Sequence, residues 1–274
     1  MGASEDVEGD SATPSAQSPF AGLLRLELRR AFGRRHAVGL TLIALMGVVL
    51  AFWLPTFPES VYLFFQRIFQ LNGWPEIVVA NDLAGLVFFI YWIGVFDVLA
   101  IYVVPLEERY LDLYLSKPLT RRQYMLARLI PIMLTLTAMY VISALVHWFA
   151  LAAAGLNYPV LPYLGASAVV LAWTLCLVGI VNLAILAARE TYSAALIAFI
   201  PIAVSILPGT IYMYRPDVFE GAPLLRAIFV FPMTLLWHPD FSARWGIPLG
   251  ALLVCIAIAL VAAAGRRMET SDVG

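Results

Sequence analysis

Six long runs of apolar residues dominate this sequence and limit what it can fold into. A helix needs about 20 mainly apolar residues to cross the roughly 30 Å hydrocarbon core of a bilayer. Backbone groups in lipid must pair within their own segment, so each such run has to be helical. The runs cover residues 37–54, 83–104, 128–154, 162–188, 192–212 and 246–265. The sequence therefore predicts an all-α polytopic membrane protein whose six transmembrane helices form one domain over residues 18–265.

Composition supports the same class. Hydrophobic residues make up 62% of the 274 residues, charged residues make up 13%, and the mean hydropathy is +0.88. A soluble domain carries about 25% charged residues, so this chain lacks the polar surface of one. The net charge of −1 and the absence of a basic patch with interleaved aromatic residues argue against a nucleic-acid partner.

Positive charge is distributed unevenly between the two sets of loops that six crossings create. Of the 17 Lys and Arg residues, 13 lie in the terminal segments and in the loops of one set. They are Arg25, Arg29, Arg30, Arg34, Arg35, Arg109, Lys117, Arg121, Arg122, Arg128, Arg189, Arg266 and Arg267. Because loops rich in Lys and Arg stay inside the cell, the pattern predicts that both termini are cytoplasmic.

The terminal segments differ from the apolar runs. Residues 1–17 are acidic, rich in Ser, Ala and Gly, and without apolar periodicity, which predicts a disordered cytoplasmic tail. Residues 18–35 combine a helix-capping Ser18 and Pro19 with an apolar stripe and several Arg residues, which favours a basic helix on the membrane surface. The alternative is a positive flank that only sets topology. Residues 266–274 are predicted to be a second cytoplasmic tail.

A further amphipathic helix is predicted outside the membrane, between the first two spans. Residues 61–70 repeat apolar side chains at helical spacing and are bounded by Pro58 and by the turn at Asn72 and Gly73. This helix could rest on the outer leaflet or dock a periplasmic or extracellular partner, and both interpretations stay open.

The loop between the second and third predicted spans carries the most specific pattern. Residues 105–118 form a short predicted helix that opens at Pro105 and stops before Pro118. Thr120 and Gln123 then have the spacing of a capping box, which predicts that a new helix starts there and runs into the third span. Such an elbow is suited to receive force from a cytoplasmic partner. The alternative is a charged loop that only orients the protein.

At these residues the sequence resembles the ABC-2 class of ABC transporter permeases. That family has a pattern close to E-R-E-x-G-T-L-E-L-L-L-S-x-P-V-S-R between its second and third spans. The residues at the corresponding positions here are Glu107, Glu108, Arg109, Leu111, Asp112, Leu115, Ser116, Pro118 and Arg121, with Asp112 in place of the family's central Glu. Arg128 falls near the family's usual Lys, whereas Arg109 and Tyr110 stand where Gly-Thr is usual.

The resemblance implies a coupling helix at residues 105–123 that docks into a cytoplasmic ABC ATPase subunit. This chain has no G-x-x-x-x-G-K-[ST] motif, so ATP and Mg are expected on that separate subunit and no cofactor is expected here. The resemblance also implies a homodimer or a paired permease in the bacterial inner membrane, working as an exporter. Residues 224–236 would form re-entrant outer helices.

Three polar residues fall inside predicted spans, where an ionisable group costs about 2.5–3.5 kcal/mol. Asp97, His147 and Asn182 could line a substrate pathway or a dimer seam, or they could only hold helices together. For His147, we expect a ring at the membrane interface with its polar edge in water.

The same residues also bear on the class of function. Neither Asp97 nor His147 has an identifiable ionisable partner, and no catalytic or metal-binding motif occurs, so we expect a transporter subunit and not an enzyme. The alternative function is a non-transporting membrane scaffold or sensor that docks an outer partner. One form of this alternative is a permease that transmits mechanical work to an outer partner in a maturation system.

Overall fold

In a computed structural model, the chain forms a helical bundle. The structure describes residues 19–31, 33–69, 71, 73–108, 119–188, 190–214, 216–221 and 239–270, and these contain no β-strand. The helices are α1 (Pro19–Ala31), α2 (Arg34–Trp53), α3 (Glu59–Phe69), α4 (Trp74–Ile101), α5 (Val103–Glu107), α6 (Arg121–Ala153), α7 (Val160–Ile185), α8 (Thr191–Tyr214) and α9 (Pro239–Thr270). Short 3₁₀ turns occur at Leu54–Thr56 and Pro216–Phe219.

Five helical segments are long and apolar enough to cross a membrane, which is the pattern of a multi-pass membrane protein. They are α2 with the turn that follows it, α4 with α5, α6, α7 and α9. The all-helical class and five of the six predicted apolar helices are thereby confirmed. The remaining predicted span, residues 192–212, coincides with α8. The apolar part of α8 that the structure describes, Thr191–Ser205, is shorter than each of the other five helical segments.

The observed helices extend beyond the apolar runs that predict them. α4 begins at Trp74, nine residues before the predicted start, because extended backbone at Gly73 and the adjacent Pro75 define the helix start. α9 runs from Pro239 to Thr270, so the predicted tail at 266–274 begins as helix. Hydropathy marks only the apolar part of a helix, whereas capping residues set its real ends.

Side-chain contacts give the directions of the helices. The start of α2 meets the end of α4 through Arg35 and Asp97, and the start of α6 meets the end of α4 through Tyr124 and Ile101. α7 and α9 run parallel in close contact, since Gly165 faces Gly246 at one end and Gly179 faces Leu260 further along. We call the end that holds the starts of α2, α6 and α8 the basic end, and the other the opposite end.

The core of the bundle is formed mainly by α4, α6 and α7. In the most apolar 18-residue stretch of each helix, 61% of the residues of α7 are buried, against 22% for α2 and 17% for α9. The outward faces of α2 and α9 carry exposed apolar side chains such as Leu42 and Ile258. A helix with such a face suits a lipid environment, where an apolar surface has no unfavourable contact with water.

The two predicted amphipathic segments are helical. α1 spans Pro19–Ala31 within the predicted 18–35, and α3 spans Glu59–Phe69 near the predicted 61–70. Their placement on a membrane surface stays a prediction. The acidic tail at 1–17 and the predicted re-entrant segment at 224–236 lie outside the described residues.

The contact between α7 and α9 predicts the effect of adding one methyl group. A Cβ on Gly246 would lie 2.4 Å from the Cα of Gly165, and backbone atoms cannot move aside without separating the helices. We expect Gly246→Ala to lower stability by about 1–3 kcal/mol, the usual cost of overpacking, measured by denaturant unfolding in detergent. Gly22→Ala is the matched control, since a Cβ there meets nothing within 4 Å. Equal stability of the two variants would contradict the close contact.

Candidate functional site

Two buried carboxylates of α4 are joined to other helices, and the first is Asp97 near the basic end. Its Oδ1 accepts a hydrogen bond from Arg35 at 2.6 Å, and its Oδ2 accepts one from Nε2 of His36 at 2.8 Å. Asp97 and His36 are 4% and 5% exposed. The contact connects the start of α2 to the end of α4, as the helix-packing interpretation of Asp97 requires.

Asp97 lies near the basic end of its helix, inside the predicted second span. Asp97 lies four residues before the last residue of α4, Ile101, and it contacts Arg35 in the first turn of α2. A membrane-depth carboxylate beside a permanently charged guanidinium forms a neutral pair, which removes most of the expected insertion cost.

The second buried carboxylate, Asp82, was missed by the sequence analysis. Its Oδ1 lies 2.5 Å from Nδ1 of His147, and the two residues are 2% and 1% exposed. The other ring nitrogen of His147 is 3.0 Å from the backbone carbonyl oxygen of Ile43 on α2. The expectations that His147 keeps a polar edge in water and lacks an ionisable partner are therefore both wrong.

Asp82 lies just outside the second span as the sequence predicts it. The predicted second span began at residue 83, which left Asp82 in a loop, whereas α4 starts eight residues before it at Trp74. The start signal formed by Gly73 and Pro75 could have moved the boundary and placed Asp82 inside the helix.

Glycine creates the space that the histidine ring occupies. A Cβ on Gly47 of α2 would lie 2.1 Å from Cδ2 of His147, so the ring packs directly against the α2 backbone. The Ile43 carbonyl belongs to the same face of α2, one turn before Gly47. His147 thus joins α6 to α2 by packing and by a hydrogen bond, and to α4 through Asp82.

Hydroxyl groups surround the Asp82–His147 pair. Tyr140, Tyr163 and Ser167 lie close to one another, and both tyrosines are near Asp82. Tyr163 donates a hydrogen bond to the carbonyl of Ala144 at 2.7 Å. Among the described residues, the Tyr140 and Ser167 hydroxyls, both carboxylate oxygens of Asp82 and Nδ1 of His147 have no hydrogen-bond partner of good geometry, so the Asp82–His147 contact is a close ion-pair contact. Buried groups in this state are normally satisfied by internal water.

The structure does not bring the three predicted intramembrane residues together. Asp97 contacts the start of α2, and His147 contacts Asp82, which is 15 residues from Asp97 on α4 and so about 22 Å away along the axis. Asn182 is buried on α7, with no hydrogen bond to its side chain among the described residues. A role for any of the three residues in a substrate pathway or a dimer seam stays a prediction.

A joint at the basic end connects α4, α5 and α6. Pro105 has no N–H, so the carbonyl of Ile101, four residues earlier, cannot form its usual helical hydrogen bond. The buried hydroxyl of Tyr124 on α6 donates to this carbonyl at 3.0 Å instead. The helix path also bends here, since Tyr102 has φ −127° and ψ −60°. A kink caused by proline is thus bound to the start of the next long helix.

Glu107, the first residue of the predicted coupling motif, connects this joint to α8. Its carboxylate accepts hydrogen bonds from the backbone N–H of Thr191 at 3.2 Å and from the Thr191 hydroxyl at 2.5 Å. Thr191 is the first residue of α8, where backbone N–H groups lack partners and negative charge is favourable. A residue expected to face an ATPase therefore holds the start of another helix.

The capping box that the sequence predicts at the start of α6 is confirmed. The N–H of Gln123 donates to the Thr120 hydroxyl, and the N–H of Thr120 donates to the Gln123 side chain, both at 3.1 Å. Arg121, which follows Thr120, is the first residue of α6. Glu108 lies just after the end of α5 and is exposed. The other predicted coupling residues, Arg109, Leu111, Asp112, Leu115, Ser116 and Pro118, lie outside the described residues.

Arg128, the residue near the family's usual Lys, fixes α1 against α6. Its guanidinium lies 3.3 Å from the carboxylate of Glu27, and both side chains are mostly buried. The same guanidinium stands 5.3 Å from the centroid of the Tyr124 ring, a cation–π contact. The ion pair joins the N-terminal amphipathic helix to the helix that starts at the joint.

Within the described residues, no group of three or more His, Cys, Asp or Glu side chains is placed to hold a metal ion. A scan against models of known protein families gives no match, and neither does a comparison with curated proteins. The function has to be argued from the two carboxylate contacts and from the joint.

The close packing of Gly47 on His147 yields a prediction. The imidazole ring is held by Asp82 and by the Ile43 carbonyl, so Gly47→Ala must separate α2 from α6 or displace the ring. We expect a loss of about 1–3 kcal/mol in the free energy of unfolding. Gly85→Ala is the control, because its Cβ would meet the flexible terminal methyl of Met46. An equal loss in both variants, measured by denaturant unfolding, would contradict a fixed ring.

Proposed function

We propose that this chain is the membrane permease subunit of an ATP-driven transporter of the ABC-2 type, working as an exporter with a separate ATPase. In this proposal α8 is the sixth crossing, both termini are cytoplasmic, the membrane is the bacterial inner membrane, and the permease is paired. The separate ATPase subunit binds ATP and Mg. The basic end of the bundle faces the ATPase.

The observation that carries the proposal is the way the segment between α5 and α6 is attached. On its N-terminal side, Glu107 caps the start of α8. On its C-terminal side, Thr120 and Gln123 form the capping box that starts α6. The Tyr124 hydroxyl connects both sides through the carbonyl of Ile101. A force applied to residues 109–118 would therefore reach α4, α6 and α8 together. A loop that served only as a tether would not need these connections.

The directions of the helices support a sixth crossing. α7 and α9 run parallel, so the chain has to return to the opposite end of the bundle between them. α8 begins at the basic end beside Glu107, and its 24 residues span about 36 Å at 1.5 Å per residue. Beside α4, the Tyr91 hydroxyl donates to the carbonyl of Ala198, as expected for antiparallel neighbours.

One observation favours the second candidate, a scaffold or sensor. A cavity of about 340 Å³ lies at the opposite end, between α3 and the start of α4. It is lined by Phe57, Glu59, Tyr62, Gly73 and Trp74. Phe57, Tyr62 and Trp74 are partly exposed, and aromatic side chains are enriched in binding surfaces for partner proteins. A permease that transmits mechanical work to an outer partner would bind the ATPase at the basic end of the bundle and the outer partner at the opposite end.

The proposed docking segment can be tested with charge. We expect the double substitution Leu111→Asp and Leu115→Asp to abolish co-purification of this chain with its ATPase, because carboxylates would replace the apolar side chains of the proposed contact. The experiment is affinity purification of the full chain from native membranes, followed by mass spectrometry for a protein with a phosphate-binding loop.

The matched control places the same two charges at the opposite end, as Leu63→Asp and Val218→Asp, where both side chains are exposed. We expect this variant to retain the ATPase. Retention of the ATPase by the Leu111/Leu115 variant would overturn the coupling role. A stable complex with an outer partner, formed without any ATPase and lost in the control variant, would favour the scaffold.

A further inference from the structure

The Asp82–His147 pair has no part in the proposed coupling at the basic end, and the atoms that it contacts define its protonation. The carbonyl oxygen of Ile43 can only accept a hydrogen bond, so Nε2 of His147, at 3.0 Å, must carry a proton. Nδ1 of the same ring lies 2.5 Å from Oδ1 of Asp82. Without a proton between them, the ring lone pair and the carboxylate lone pair would repel each other at this distance.

The observed arrangement therefore holds two protons on the imidazole and carboxyl groups together. One is on Nε2, and the other lies between Nδ1 and Oδ1, either as imidazolium with carboxylate or as neutral imidazole with carboxylic acid. In both forms the pair has no net charge. This is the form that a site excluded from water favours, because an uncompensated charge there would be costly.

Removal of one proton must break a contact. If Nε2 keeps its proton, Nδ1 turns a lone pair toward the Asp82 carboxylate, and the contact between α4 and α6 becomes repulsive. If the remaining proton moves to Nδ1, Nε2 turns a lone pair toward the Ile43 carbonyl, and the contact between α6 and α2 is lost. Neither tautomer of neutral histidine satisfies both partners.

The other buried carboxylate shows why this behaviour is specific to Asp82. Asp97 accepts from Arg35, whose guanidinium stays charged at any ordinary pH, and a neutral His36 can donate its Nε2 proton to the other oxygen. Both oxygens of Asp97 are therefore hydrogen-bonded without any exchange of protons. Asp82 has no Arg or Lys partner among the described residues, so histidine alone neutralises it.

We propose that Asp82 and His147 form a proton-binding site, which exchanges one proton with the aqueous phase at the opposite end and whose occupancy controls the contacts of α6 with α2 and α4. On release, the proton passes to water, and the pair changes from neutral to a net charge of −1. No electron transfer or covalent step is involved. The proposal does not depend on the coupling role of the segment at 109–118.

The position of the pair favours exchange at the opposite end. His147 lies six residues before the end of α6, about 9 Å, and Asp82 lies eight residues after the start of α4, about 12 Å. A cavity of about 260 Å³ opens at that end beside Trp148, whose ring is 5.2 Å from that of Tyr163. Tyr163 connects this cavity to the pair, because its ring packs against Trp148 and its hydroxyl lies near Asp82.

The other titratable groups around the pair are few. α4 also carries Glu76 toward the opposite end, α6 contributes Tyr140, and α7 contributes Tyr163. The charged groups of α2 lie at its basic end, far from the pair. On α9, the charged residues nearest to the pair are Asp240 and Arg244 in the first two turns. α8 contains no charged residue. In the loop between α6 and α7, burial raises the pKa of Tyr158, and the Glu76 carboxylate raises it further.

Magnetic resonance of isotope-labelled histidine tests the proposal on the full chain in lipid nanodiscs. We expect the ring nitrogens of His147 to change in one step as the pH is raised over the range in which the chain stays folded, because the pair releases one proton. The carbonyl carbon of Ile43 should change with the same midpoint if the remaining proton moves to Nδ1, and the carboxyl carbon of Asp82 should change with it if that proton stays on Nε2. The His147→Gln spectrum assigns the signals.

Three variants separate a proton site from simple packing. Asp82→Asn should remove the step or move its midpoint by about one pH unit or more, Asp82→Glu should keep a step, and Asp97→Asn should leave it unchanged. Unchanged His147 signals over the whole range in the folded wild-type chain would overturn the proposal. So would an identical step in Asp82→Asn. A His147 step without any change at either Ile43 or Asp82 would overturn the control of helix contacts.

Discussion

Two carboxylates on one apolar helix impose the constraint on which the rest of this bundle depends. Asp82 and Asp97 are buried on α4 about 22 Å apart, and each would cost several kcal/mol if it stood alone among apolar side chains. Each is neutralised by cationic or proton-donating groups from another helix. The positions of α2 and α6 around α4 are therefore fixed by charge as well as by the packing of small residues such as Gly47.

The two ends of α4 solve the same problem with different chemistry. At the basic end, the permanent charge of Arg35 neutralises Asp97, and the nearby joint connects α4 to α6 and α8 through Tyr124 and Glu107. At the opposite end, neutrality depends on a proton shared by Asp82 and His147. In the proposed transporter, ATP-driven force would enter at the end that is permanently neutralised. The end that can change its charge would respond to the outer aqueous phase.

Local signals in the sequence predicted local structure well. Apolar runs of about 20 residues predicted the long helices, and the capping box at Thr120 and Gln123 was recognised from spacing alone, since both partners lie within one turn. Helix ends were less predictable, because hydropathy gives no weight to caps. That error hid Asp82, which a start at Trp74 would have placed inside the second span.

Contacts between distant residues could not be predicted in this way. Nothing in the periodicity of α6 indicates that His147 meets Asp82, 65 positions away, or that Glu107 meets Thr191, 84 positions away. Such pairs depend on how the helices are arranged, and a single sequence gives only their order and spacing. The polar residues inside the apolar runs were visible, but their partners became apparent only in the folded bundle.

A double-mutant cycle on Asp82 and His147 tests the central constraint most directly. The free energy of unfolding is measured for the wild type, Asp82→Asn, His147→Gln and the double variant, with an Asp82→Asn and Asp97→Asn cycle as the distant control. If the buried pair holds the helices together, the Asp82–His147 cycle gives a coupling energy above about 1 kcal/mol, and the control cycle is additive within about 0.5 kcal/mol. Additive losses at Asp82 and His147 would contradict the constraint.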